Sequence, residues 1–214
     1  MALLDRLRRR PRWEDPDAKV RADAVREIPA EEQETLAQIA TEDVDPLVRR
    51  AAVRRLADPA VLARIASSDV DTAVREKAAT ALAALAVGGD EPAALAATSA
   101  LSEPRHLMNV VLTSALPAVR TAAGARLHDT HSLSRIARSA GDAANRLQAV
   151  AALTDIAGLA EVAGRGEHKD AAVAAVDRLD DVEALRGVAA RGRQKAAARR
   201  AREKLSLLAP GPAA

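Results

Sequence analysis

Arginine recurs in this chain at a fixed interval, and that interval limits what the chain can fold into. Arg21, Arg49 and Arg75 stand 28 and 26 residues apart, and Arg120 and Arg146 are again 26 apart. Each sits in a similar string. Val20-Arg21-Ala22-Asp23-Ala24-Val25 returns as Val48-Arg49-Arg50-Ala51-Ala52-Val53 and as Val74-Arg75-Glu76-Lys77-Ala78-Ala79. Weaker copies begin at Val119, Asn145 and His168. A second motif alternates with the first: Leu36-Ala37-Gln38-Ile39-Ala40, then copies starting at Leu62, Leu133, Leu159 and Leu185. Two interleaved motifs sharing one period mark a repeat array. Each repeat is two helical segments of about ten residues. Neither segment can bury its apolar face alone, so neighbouring repeats must stack. The period therefore predicts an all-α fold, an α-solenoid of about seven short helix pairs.

The residues within a repeat support helices. Val48, Ala52, Val53 and Leu56 fall on one helical face, with Arg50 and Arg54 on another. Asp15-Pro16, Asp45-Pro46 and Asp58-Pro59 each place a capping side chain before a proline, which predicts a helix start at all three. Composition agrees. Alanine, the best helix former, supplies 54 of the 214 residues. Phe and Tyr are absent and Trp13 is the single aromatic residue, which disfavours a β-sandwich and removes stacking platforms for single-stranded nucleic acid. With no cysteine, disulfides, thiolate metal sites and a cysteine nucleophile are excluded.

The string Asp43-Val44-Asp45-Pro46-Leu47-Val48-Arg49-Arg50-Ala51-Ala52-Val53 resembles the second helix of a HEAT repeat. HEAT-like repeats carry an aspartate before this helix and an arginine six residues later. Here the pairs are Asp15 with Arg21, Asp43 with Arg49, and Asp69 with Arg75. The resemblance implies a right-handed superhelix in which these side chains form a ladder between adjacent repeats. Such a bond would be charge-assisted and would also cap a helix. The short period is closer to the leucine-rich-repeat variants. The stretch Trp13-Glu14-Asp15-Pro16-Asp17 also resembles bacterial proteins that set such repeats ahead of a long coiled coil.

The pattern has departures. The position six before Arg120 is Ser114, and that before Arg146 is Ala140, so the ladder is expected to be lost in the C-terminal half. Residues 87–118 break the period. Gly88-Gly89-Asp90 is expected as a loop, with Pro92 and Pro104 each opening a helix. This irregular repeat would either kink the array or be an eroded unit without a role. The expected organisation is a basic arm at 1–13, regular repeats at 14–86, the irregular segment at 87–118, further repeats with a basic end at 119–208, and a tail at 209–214.

Charge is unevenly spread. Residues 1–12 carry a net +4, residues 186–204 a net +7, and the stretch between them a net −9. Basic ends could bind nucleic acid or an acidic surface. Equally, terminal repeats need a polar outer face to stay soluble. The acidic body would repel phosphates along most of its length. Arg50 and Arg54, with Arg193, Arg199 and Arg200 near the C-terminal end, are the candidate binding residues on a concave or basic surface. The plainer alternative is a solvated face paired with acids of neighbouring repeats.

Catalytic motifs are missing from the sequence: there is no nucleophile elbow and no phosphate-binding glycine loop. His128-Asp129-Thr130-His131 has metal-ligand spacing, but Asp and Thr also suit a helix cap. Gly164-Arg165-Gly166 and Gly192-Arg193 are expected as turns between repeats. Some HEAT-like proteins are DNA glycosylases that hold a base against aromatic side chains. Trp13 is the one aromatic available, and it is expected as a cap on the first repeat. No apolar run approaches the ~20 residues of a membrane helix. The expectation is a cytoplasmic, non-enzymatic scaffold that binds another protein and needs no cofactor or metal. The alternative is non-specific nucleic-acid binding through the basic ends, and a distant third is a HEAT-like glycosylase.

Overall fold

A computed structural model describes residues 11–208. Most of the expected basic arm, and the tail at 209–214, lie outside the described residues. The described residues form fourteen α-helices and two short 3-10 turns, with no strand. None of these helices is long and apolar enough to cross a membrane. The chain divides into two compact units, residues 1–101 and 102–214, and the division falls inside the aperiodic segment.

The first unit contains α1 (Ala18–Ala24), α2 (Gln33–Glu42), α3 (Pro46–Val53), α4 (Pro59–Ser68), α5 (Thr72–Gly88) and α6 (Glu91–Ala100). Its helices lie in two rows. Helices α1, α3 and α5 stack in sequence order and carry the arginine motif; α2, α4 and α6 stack as the other row. Trp13 is half-buried in a 3-10 turn, Arg12–Glu14, that packs on α1. The second unit contains α7 (Pro104–Thr113), α8 (Pro117–Gly124), α9 (Thr130–Ser139), α10 (Ala143–Ala152), α11 (Ile156–Arg165), α12 (Lys169–Arg178), α13 (Val182–Arg191) and α14 (Lys195–Leu208). Here α8, α10, α12 and α14 form the arginine-motif row, and α7, α9, α11 and α13 form its companion.

The core between the rows is narrow because its side chains are small. Leu36, Val48, Leu62, Val74 and Leu82 are buried in the first unit beside Ala40, Ala52 and Ala78. Leu133, Ile136, Leu153, Leu179 and Leu185 do the same in the second, with alanines at the contacts. The low relief of alanine lets short helices approach closely.

Aspartate starts most of the helices. In nine of them the N-cap is an aspartate whose side chain accepts a first-turn N–H. Such caps contribute about 1 kcal/mol each, and they account for much of the acidic body. Asp45-Pro46 and Asp58-Pro59 open α3 and α4 as expected. Asp15-Pro16 does not open a helix: α1 starts at Ala18 with Asp17 as its cap. Asp15 instead accepts the Asp17 N–H at 2.9 Å, as Asp43 does from Asp45 at 2.9 Å and Asp69 from Asp71 at 2.8 Å. In each Asp-x-Asp the first carboxylate folds the loop and the second caps the helix.

Pro104 opens α7, and Pro92 is the second residue of α6. Gly88 ends α5 rather than lying in a loop, because the stretch from Thr72 to Val87 contains no breaker and is rich in alanine.

Candidate functional site

The five period-defining arginines share one geometry. Each points its guanidinium back along its own chain and donates from Nη1 to the carbonyls six and five residues earlier. For Arg49 these are Asp43 O at 2.9 Å and Val44 O at 3.3 Å. For Arg120 they are Ser114 O at 3.0 Å and Ala115 O at 3.1 Å, and for Arg146 Ala140 O at 2.7 Å and Gly141 O at 2.9 Å. Arg21 and Arg75 do the same with Asp15, Pro16, Asp69 and Val70.

The rest of the fork reaches the entry to the next helix of the row, the loop before it or its first turn. Arg21 holds Asp43 with two bonds of 2.8 Å, and Arg49 holds Asp69 in the same way. The side chains of Arg49 and Asp69 are only 8% and 7% exposed. Arg75, at the last helix of this row in its unit, turns Nη2 to Thr72 Oγ1 at 2.9 Å instead.

The expected loss of the ladder in the C-terminal half is corrected by the second unit. Arg146 binds Asp170 through Nε at 3.1 Å and Nη2 at 2.6 Å. Arg120 reaches Asp142 at 3.1 Å through Nη2, while its Nε is buried without a hydrogen-bond partner. The physical reason is that the arginine grips backbone carbonyls, so the side chain six residues earlier is not required. Ser114 and Ala140 therefore serve as well as Asp43. The acceptor carboxylate is also free to move. It lies two residues before the cap in Asp43 and Asp69, on the cap itself in Asp142, and in the first turn in Asp170.

These contacts favour the charged forms of both partners. Burial pushes Asp43 upward, but bonds from Arg21 and the Asp45 N–H outweigh it and hold the carboxyl below the ordinary aspartate range. Asp69 is held low chiefly by Arg49, and Asp170 chiefly by Arg146. Asp142 is lowered first by the Asn145 N–H it caps, and then by Arg120. Arg21 and Arg49 are pushed further up by their carboxylates.

Sequence reasoning missed a second set of cations. Arg55 Nη1 donates to Val25 O at 3.0 Å and Arg26 O at 2.5 Å. Arg178 Nη1 donates to Val150 O and to Ala151 O, the latter at 2.6 Å, and Lys204 Nζ donates to Asp177 O at 2.7 Å. Each cation sits near the end of its helix and closes the C-terminal carbonyls of the preceding helix in the row, where the dipole is negative. The 26-residue interval between Arg178 and Lys204 was the available signal. The register expected from the copy at His168 is corrected here: Ala172, 26 residues after Arg146, and not Lys169, occupies the arginine position of α12. The two carbonyls left open there, Gly166 O and Glu167 O, accept from Gln194 Nε2 at 3.3 and 2.9 Å.

The candidate binding cations divide between the units. On α3, Arg50 is half-buried, and Arg54 is exposed one turn later at the C-cap. Neither has an ion-pair partner among the described residues. Arg193 faces Glu167 at 3.6 Å, and Arg199 faces Glu203 at 3.5 Å. Arg200 binds Asp177 at 2.6 Å and also approaches Glu203 at 3.6 Å. Asp129 caps α9 through the Ser132 N–H at 2.8 Å, between the exposed His128 and His131. Among the described residues no group of three or more His, Asp or Glu is placed to hold a metal ion. Gly166 and Gly192 both follow a helix end. A Cβ at either would lie 2.6 Å from a carbonyl of that helix, Val162 O or Val188 O. Comparison of the chain with protein-family models, with curated proteins and with solved structures finds no match.

Proposed function

We propose that each unit is a right-handed α-solenoid segment of HEAT-like helix pairs, and that the chain is a non-enzymatic cytoplasmic scaffold which binds another protein through the exposed side of the arginine-motif row. One observation carries the reading: successive helices of that row are joined by guanidinium–carboxylate pairs, Arg21–Asp43 and Arg49–Asp69 in one unit and Arg120–Asp142 and Arg146–Asp170 in the other. A row held this way uses its periodic arginines internally. Its outward residues are then available for contact, and repeated stacking yields an extended surface. In the first unit that surface offers Arg50 and Arg54.

The cations near the C-terminal end favour this reading over nucleic-acid binding. Arg200 is held by Asp177, Lys204 by Asp180 at 2.9 Å, and Arg202 donates to Ala189 O at 2.7 Å. Affinity purification with mass spectrometry, with and without nuclease, tests the proposal. A protein should co-purify in both samples and be lost with Arg50→Glu/Arg54→Glu. Recovery that depends on nucleic acid, or a protein partner indifferent to both substitutions, would sink it.

A further inference from the structure

The exposed side of the arginine-motif row changes character along the second unit. Helices α8 and α10 each contain a single charged residue, Arg120 and Arg146, and both are committed to the ladder. What these helices expose is uncharged: Ala118 and Thr121 on α8, and Ala144, Leu147 and Ala151 on α10. Leu147 is 43% exposed at the centre of this strip. In a chain with 29% charged residues, two adjacent helices without a free charge on their outer side stand apart. The equivalent position is Val173 on α12, and it becomes Arg199 on α14. Lys169 and Lys195 are exposed at the starts of those two helices. The strip thus begins apolar and becomes charged, with Asp177 and Glu203 at the positions equivalent to Ala151 but Lys195, Arg199, Arg200 and Arg202 in excess on α14, over helices that stack in the order α8, α10, α12, α14.

We infer that this strip is a docking site for an amphipathic helix of a partner protein, with the partner's apolar stripe over α8 and α10 and an acidic end over the first turns of α12 and α14. The inference rests on the scaffold reading and names the partner's chemistry. Three arguments select a helix of this kind. First, the outer side of α8 and α10 offers few hydrogen-bonding groups. An extended peptide would leave its backbone unpaired there, whereas a helix satisfies its own. Second, the alanine floor has little relief, so a helix can approach closely around one protruding anchor, Leu147. Third, Lys169 and Lys195, which have no ion-pair partner among the described residues, complement acidic residues at one end only, beside an Arg199 that is shared with Glu203, and this fixes the direction of the bound helix. Helices in contact are about 8–10 Å apart. The strip therefore spans roughly 30 Å, the length of a helix of about 20 residues.

The test is selection of binders from a displayed library of 20-residue peptides on the full chain, followed by fluorescence anisotropy of labelled winners. Winners should carry apolar residues at i, i+3, i+4 and i+7 and a cluster of Asp or Glu at one end. Leu147→Glu should weaken them at least tenfold, and Ala144→Arg should do the same. Both positions are exposed, and an unchanged thermal melt would show that the variants fold. Lys195→Glu with Arg199→Glu should weaken acidic-ended winners and shift the preference toward basic-ended ones. The inference is overturned if no peptide is selected, if winners are basic or extended, or if they ignore Leu147→Glu. Winners that respond to Arg50→Glu/Arg54→Glu but not to Leu147→Glu would overturn it while leaving the scaffold reading in place.

Discussion

Removing one partner of the Arg49–Asp69 pair should cost far more than its share of a two-residue change. Arg49 makes four hydrogen bonds, two to carbonyls and two to Asp69, and both side chains are more than nine-tenths buried. Arg49→Ala leaves a buried carboxylate with the Asp71 N–H as its remaining bond, and it opens two carbonyls. Orphaning a buried charge typically costs about 3–5 kcal/mol. Asp69→Ala should cost a similar amount, about 3 kcal/mol, because Arg49 keeps its carbonyl bonds but loses its counter-charge. The double variant orphans no charge, so its cost should fall short of the sum by about 2–3 kcal/mol. The assay is urea unfolding followed by circular dichroism on the wild type, both single variants and the double. Arg75→Ala, at a half-buried arginine without a carboxylate partner among the described residues, is the internal comparison and should cost about 1–2 kcal/mol. If the single costs add to within about 0.5 kcal/mol in the double variant, the pair does not couple the helices and the reasoning fails.

Other expected outcomes follow from the same contacts. Asp43, Asp69 and Asp170 are held below the ordinary aspartate range when folded, so they add stability above the unfolded pKa of about 3.9. That stability is lost as pH falls through the folded values; unfolding midpoints should hold steady from neutral pH to about 5 and drop below about 4, with Asp69→Asn flattening the drop. Gly166→Ala places a Cβ against Val162 O and should destabilise by about 1–3 kcal/mol. Gly141→Ala meets nothing within 4 Å and should be neutral or stabilising by up to about 1 kcal/mol; equal melting shifts for the two glycines would contradict the geometry. Gln194→Ala removes the donor to Gly166 O and Glu167 O and should lower stability by about 1 kcal/mol, read from the same unfolding curves.

The helices were legible because their signals are local. Asp45, Asp58, Asp71 and Asp142 each precede a helix and cap it, and the apolar face around Val48 is buried. The ladder was only half legible. Its arginines stand out by period, but their first partners are carbonyls, which carry no residue identity, so Ser114 and Ala140 looked like breaks. Asp15-Pro16 misled for a related reason: the same dipeptide serves as loop and as cap, and only the following Asp17 decides. The end-of-helix cations were hidden because Arg55, Arg178 and Lys204 act across 27 to 30 residues, on carbonyls again. Of the candidate binding cations of α14, Arg200 looked free in sequence because Asp177 meets it only once the helices stack, whereas the Arg199–Glu203 pair is local, four residues apart on one helix.

The mobility of the acceptor carboxylate has a consequence for how such a chain can change over time. The arginine-to-aspartate separation is 22, 20, 22 and 24 residues in the four pairs, yet the pair forms each time. A guanidinium anchored on backbone can meet a carboxylate before, on or just inside the next helix. Insertions and deletions of one or two residues between helices are then absorbed without unlinking the row. Duplicated units can drift in length and still join their neighbours, which leaves the outward side chains as the part of each unit free to be tuned to a partner.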